Sequence, residues 1–311
     1  MPVPVPDYEA YKQELCERYN FSLPLKQIPA CSIVEIPLPL NQLKRGWPWD
    51  EESDSYPAEK STQAVSVIIP SYQQGAYIEE AIRSALLQNY GPLELIIIDG
   101  ASTDNTVEVM NHYSNFISMW VSEPDNGQAH AINKGFAMAS GSYFYWLNSD
   151  DFLTKNCFRQ VMPMFAQYPN TDIIYGDGYK LNEDTGSIAI EPAPLVRERY
   201  LRFGGIVLSH AVIWKRSAHS PVWEDLNCAM DAELWLRLFT DRVFRHSLLP
   251  MGVARQHSLQ KTAVGGAWSK RWEEDYTKYI WQYYPQVKNW LWRTREYRLV
   301  QKLFTCYRSI F

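Results

Sequence analysis

Over residues 1–63 the hydrophobic and polar positions follow no period. Nine of the nineteen prolines lie here. Each fixes φ and removes a backbone donor, so regular structure is interrupted repeatedly. One short helix fits residues 8–19. Ile33, Val34, Ile36, Trp47 and Trp49 make this arm too apolar for a free linker, and it is expected to pack on a domain. From Val65 the texture changes. VSVIIP (65–70) is a continuous apolar run closed by proline, as in a buried strand. In YIEEAIRSALLQNY, residues Ile78, Ala81, Ile82, Ala85 and Leu86 recur at helical spacing and predict an amphipathic helix. LELIIIDG (93–100) reads as a second buried strand. Asp104 and Thr106 suit the start of a helix that reaches about residue 113. A strand over 116–123, a helix over 128–139, a strand over 143–151 and a strand over 172–177 complete the predicted series. Residues 178–230 fix no topology.

Strands that are apolar throughout, alternating with amphipathic helices, predict an α/β fold: a mostly parallel central sheet covered by helices on both faces. Ligands of such sheets bind at the carboxyl ends of the strands. Ser71 and Tyr72, Asp99, and the pair Asp150–Asp151 all fall at those ends.

Composition narrows the class. With 311 residues, 46% hydrophobic and 21% charged, the chain is neither disordered, collagenous nor coiled-coil. A net charge of −5 disfavours a nucleic-acid partner. The five cysteines (16, 31, 157, 228 and 306) are odd in number and lack CxxC spacing, which suits a reducing compartment and opposes a disulfide framework or zinc site. The first residues carry no basic, apolar leader, and no apolar run approaches membrane-span length. A cytoplasmic protein is expected, soluble or peripheral on the inner face of a membrane.

Adjacent carboxylates in NSDD (148–151) repel unless compensated. Such a pair either binds a hard cation together with substrate phosphates or caps the next helix, and residue type alone leaves both open. Asp99 can accept from a base N–H or a ribose hydroxyl, and Tyr72 can stack on a base. The chain has neither G-x-G-x-x-G nor G-x-x-x-x-G-K-[ST], which disfavours dinucleotide dehydrogenases and P-loop enzymes.

VSVIIPSYQQGAYIEEAIRSAL, ELIIIDGASTDNT and EPDNGQAHAINKGFAMASGSYFYWLNSDD together resemble the nucleotide-binding half of the family 2 glycosyltransferases, inverting enzymes of GT-A fold. The resemblance is dense over 64–155 and thinner to about 262. Between the Pro-rich arm (1–63) and a basic aromatic helical tail (266–311), it implies a GT-A domain (64–265, donor half 64–155, acceptor half 156–265). It assigns donor binding to Pro70, Ser71, Tyr72, Asp99, Asp125, Gly127, Gln128, Asn148 and Asp150. The family's D-x-D element falls on Asn148, Ser149 and Asp150, with asparagine for the first aspartate. A divalent metal, Mn²⁺ or Mg²⁺, is then expected at Asp150, Asp151 and His257. The family's Glu-Asp element falls on Met230 and Asp231, which leaves Asp231 as catalytic base, with Glu233 in reserve. An N-cap role is the competing reading of Asp231. Lys261 and Thr262 suit phosphate oxygens, and His210 and Trp235 suit the acceptor side.

The implied reaction moves a sugar from a nucleotide donor, UDP or dTDP favoured because Asp99 suits a pyrimidine N–H, to a glycan or lipid-linked acceptor in cell-surface polysaccharide or glycolipid synthesis. Segment 286–311 carries six basic residues against one acid, interleaved with Trp290, Trp292 and Tyr297. Either a membrane-surface segment or a terminal helix packed on the domain or a second subunit fits that pattern. A non-catalytic binding protein on the same fold, or a sugar nucleotidyltransferase, are the alternatives. The second lacks the glycine-rich basic loop that it needs.

Overall fold

The computed structural model describes residues 3–57, 63–193, 207–258, 260, 267–284 and 299. Helix α1 (Tyr8–Arg18) is capped by Asp7, whose side chain accepts from Glu9 N and Ala10 N. The sheet begins with β1 (Val65–Ser71), followed by α2 (Ile78–Leu86), β2 (Leu93–Asp99), α3 (Thr106–His112), β3 (Met119–Ser122), α4 (Gln128–Met138) and β4 (Tyr143–Trp146). Then come β5 (Phe152–Leu153), α5 (Cys157–Gln167), β6 (Ile173–Asn182), β7 (Ile188–Glu191), β8 (Val212–Lys215), α6 (Met230–Leu238), β9 (Phe244–Gln256) and α7 (Ala267–Asp275). Strand order is β3-β2-β1-β4-β8-β6-β9-β5, with β7 beside β6.

The first four strands are parallel. Every residue of β1 and β2 is buried, as strands covered on both faces must be. Ile68, Ile96 and Ile98 join α4 and α6 in one core, whereas Val65, Val67, Ile69, Leu93, Leu95 and Ile97 join α2, α3 and α5 in the other. Beyond β4 the sheet is mixed. β8 runs antiparallel to β4 and β6, and β9 runs parallel to β6 through a bulge at Gly176–Gly178. The run over 143–151 pairs only as far as Trp146, because NSDD turns away from the ladder. The strand at 172–177 continues to Asn182, its second half bordered by β7.

The N-terminal arm lies against the sheet edge and α2. Ile28 bridges to Leu93, and Trp49 and Tyr56 are buried. Arg83 of α2, itself buried, donates to the carbonyls of Pro37, Pro48 and Trp49, so the irregular backbone of the arm finds its hydrogen bonds on a helix side chain.

Candidate active site

The carboxyl ends of β1, β2 and β4 open into a cleft of about 560 Å³. Pro70, Ser71 and Tyr72 enter from β1, Asp125, Gly127 and Gln128 from the turn before α4, and Asn148 and Asp150 from the turn after β4. Gly127 has φ +106°, a conformation that glycine adopts without penalty. It is the N-cap of α4, and Asp125 Oδ1 accepts from Gly127 N at 2.8 Å. Gln128 Nε2 donates to Asn148 Oδ1 at 3.1 Å, and Trp146 Nε1 donates to the same oxygen at 3.0 Å. The Ser71 hydroxyl and Gln74 Oε1 are buried without a hydrogen-bond partner among the described residues.

Asp99 does not line this cleft. It is wholly buried at the end of β2, where Oδ2 accepts from Ser102 N and the Ser122 hydroxyl and Oδ1 from the Ser102 hydroxyl. A carboxylate with three internal donors shapes its own turn, and its neighbour Gly100 meets the cleft instead.

A second cavity of about 340 Å³ shares Gln128, Asn148 and Asp150 with the first and is closed by His210, Met230, Asp231 and Arg255. Asp231 stands in the first turn of α6 and receives the Ser209 hydroxyl on Oδ2 at 3.1 Å. That helix start is held from a distance. The buried carboxylate of Asp275, at the end of α7, accepts from the backbone N–H of Asn227, Cys228 and Ala229. Glu233 points elsewhere: it is buried in an ion pair with Arg237 and receives the Tyr284 hydroxyl. Trp235 is likewise core, 1% exposed and packed against Trp146 and Trp214, not an acceptor contact. His210 does reach the cavity, and its buried Nε2 has no partner among the described residues. A side chain on Gly178 would stand 2.2 Å from that nitrogen, so glycine is needed where β6 passes it. Burial pushes the His210 imidazole down to about 4, with Lys180 adding to the effect, so it is neutral.

Asp150 Oδ2 and His257 Nε2 lie 3.1 Å apart. Adjacent ligands held at roughly 2.1 Å from one cation are spaced in this way, and a carboxylate with an imidazole suits Mn²⁺. Among the described residues no group of three or more His, Cys, Asp or Glu forms a complete cage. The pair therefore fits a cation that completes its shell with phosphate oxygens and water. Asp151 is buried, with Oδ1 accepting from Arg255 N and Oδ2 from Asn148 Nδ2. Burial first, then the Asp150 carboxylate, raises its carboxyl well above the ordinary range. Lys261, Thr262 and nearly all of 286–311 lie outside the described residues.

Arg255, Ser209 and Asp275 carry no signal in the sequence. Arg255 Nε donates to Asp150 O at 3.0 Å, and its guanidinium also meets Glu80 of α2, 175 residues away, and Glu183. Nothing in local spacing announces such partners.

An open α/β sheet with an acid-lined cleft at its strand ends, mixed beyond the fourth strand, has the architecture of the GT-A fold. The profile of Glycosyl transferase family 2 matches residues 66–212, just under half of the chain. Glycosyltransferase GlyG of Streptococcus pneumoniae is 30% identical over 129 residues, 40% of this chain and 42% of the relative. The chain spans between 13% and 65% of the length of eight curated relatives it matches. S. aureus TarS 1-349 in complex with UDP-GlcNAc superposes with TM-score 0.56 at 16% identity, covering 67% of this chain and 64% of that one. The mannosyltransferase PcManGT of Pyrobaculum calidifontis, in complex with GDP-Man and Mn²⁺, gives 0.50 at 19% identity, covering 86% and 73%. Among the described residues no helix is long and apolar enough to cross a membrane.

Proposed function

We propose that the chain is an inverting glycosyltransferase that moves a sugar from a nucleoside diphosphate to an acceptor hydroxyl. One observation carries this reading: the donor cleft and the Asp231 cavity share a wall made of Gln128, Asn148 and Asp150. A donor in the first would present its sugar to an acceptor in the second. Asp231 takes the proton of the acceptor hydroxyl as its oxygen bonds to the anomeric carbon. The bond from that carbon to the diphosphate oxygen breaks, and its electron pair leaves with the nucleoside diphosphate. The neutral His210 imidazole can hydrogen-bond the acceptor. Asp150 and His257 would hold a divalent cation, whose chemistry is to offset charge on the leaving diphosphate. Asp151 braces Arg255 and Asn148 behind them.

With Asp99 turned inward, the preference for UDP or dTDP loses its basis. The base is decided by thermal unfolding with UDP, dTDP, GDP and CMP, each with and without Mn²⁺. A nucleotide at about a hundred times its dissociation constant adds roughly 2.7 kcal/mol. A Mn²⁺-dependent rise with one nucleotide supports the site, and no rise with any of them rejects it. Asp231→Asn is expected to fold, bind donor and lose transfer. Near-normal transfer by that variant would reject the base assignment. The substitutions at Asn148 and Met230 favour one second reading, a nucleotide-sugar-binding protein without turnover, which measured donor turnover excludes. The basic aromatic segment 286–311 supports a lipid-linked acceptor at an anionic membrane surface in polysaccharide or glycolipid synthesis. Co-sedimentation with anionic vesicles tests that part.

A further inference from the structure

Two sets of contacts connect the N-terminal arm, which precedes the family 2 segment, to the turn lining the donor cleft. The first is at Glu123, the residue directly before the cleft-lining Pro124 and Asp125. Its carboxylate accepts from Arg18 Nη2 at 3.0 Å, from the Tyr19 hydroxyl and from Lys134 Nζ. The second is at the far end of the same turn. Asn126 N donates to His130 Nδ1 at 3.1 Å, and the His130 ring lies 6.1 Å from that of Tyr11. α1 is itself fixed along α4, where the Tyr8 hydroxyl donates to Phe136 O at 2.5 Å.

Exposed ion pairs rarely hold anything in place. Glu123 differs, because the Lys134 side chain is 1% exposed and would be a buried, uncompensated cation without it. Burial works against charge on Glu123, but the bonds from Lys134 and Tyr19 and the charges of Lys134 and Arg18 outweigh it and hold the carboxyl below its usual range. Lys134 belongs to α4, while Tyr19 and Arg18 belong to the arm. Donors from two separate elements converge on one carboxylate and restrict its orientation, and the backbone continues from it straight into residues 124–127.

We propose that Arg18, Tyr19 and Tyr11 are positioning residues for the donor turn 124–127, so that the N-terminal arm sets how tightly the cleft holds a nucleoside diphosphate. This rests on reading the cleft as the nucleotide site. A turn ordered before binding does not have to be ordered by the ligand, so affinity falls when its restraints are removed.

The test is calorimetric titration of the full-length chain with UDP, dTDP, GDP and CMP in the presence of Mn²⁺. Wild type is compared with Tyr19→Phe, which keeps the ring and removes only the hydroxyl, with Arg18→Gln, and with Gln13→Ala on the exposed face of α1. Unliganded unfolding midpoints are measured alongside. Tyr19→Phe and Arg18→Gln are expected to bind the preferred nucleotide about fivefold or more weakly. The same variants raise donor KM with kcat little changed, and Gln13→Ala binds as wild type does. Variants that unfold earlier yet bind with unaltered affinity would make the contacts merely structural and overturn the inference. A wild type that binds none of the four nucleotides overturns the site reading, and the inference with it.

Discussion

Replacing Arg255 by methionine removes the cation on which α2, β9 and the NSDD turn converge. Its guanidinium donates to Glu80 Oε2 at 2.5 Å and to Asp150 O at 3.0 Å, and it meets Glu183 as well. The Arg255 and Glu80 side chains are 5% and 11% exposed, whereas Glu183 is 41% exposed, so the cost concentrates on Glu80. Removing one partner of a buried pair strands the other charge and costs about 3–5 kcal/mol. Burial already pushes the Glu80 carboxyl above its ordinary range, and Arg255 is the main influence opposing that. Without Arg255, Glu80 rises further, and near pH 8 its ionisation or protonation must be supplied by folding energy. As pH falls toward about 4, Glu80 is protonated in the unfolded chain too, and the deficit shrinks. Adding Glu80→Gln removes the stranded charge and should recover about 2 kcal/mol at pH 8, within the range of coupled neighbours. The assay is urea denaturation of both variants and wild type at pH 8 and pH 5. A deficit under about 1 kcal/mol for Arg255→Met would put the pair among exposed ones. That result, or a double variant no more stable than the single, would refute the buried-charge reasoning.

Two histidines should make the fold acid-sensitive. Both imidazole nitrogens of His219 are shielded and unpartnered among the described residues, between Phe136, Phe144 and Trp214, and burial pushes the ring down to about 3. Because His219 and His210 bind protons more weakly folded than unfolded, stability present above pH 6.5 is lost as pH falls below it. Each contributes a loss of about 2 kcal/mol by pH 5. His219→Phe should flatten the stability profile between pH 7 and pH 5, measured by denaturation midpoints; an unchanged slope would contradict the burial. Asp99→Ala should lower stability by about 1–3 kcal/mol by stranding the buried donors of Ser102 and Ser122. If the base contact were direct, nucleotide affinity per folded molecule would collapse as well, and calorimetry on the folded fraction separates the two. Ser209→Ala should lower kcat/KM several-fold, since the lost hydroxyl orients the Asp231 carboxylate toward the cavity. An unchanged kcat/KM would leave Ser209 a packing residue.

The half of the fold that holds the first four strands was legible in the sequence because its determinants are local. Largely apolar runs such as 65–69 and 93–98, bounded by turn residues, read as strands covered on both faces, and the ends of parallel strands meet at one edge of the sheet. Eight of the nine residues that the resemblance assigns to the donor line a single cleft. Asp99 was the exception, because its position at a strand end does not tell which way its carboxylate turns. Ser102 and Ser122 decide that by supplying donors beneath the sheet edge. Elsewhere long-range pairing decided more. Asp275 holds the start of α6 from more than forty residues away, Arg255 meets Glu80 across 175 residues, and Tyr19 reaches Glu123 across 104. A charged side chain states its need for a partner in the sequence, but the partner is set by chain folding, where burial makes every unpaired charge costly. The sequence by itself determined the class of sheet, the edge that binds and the residue types available there. Only the tertiary structure decided that Glu233 and Trp235 serve the core, that Asp231 faces the shared cavity, and that the N-terminal arm ends on the donor turn.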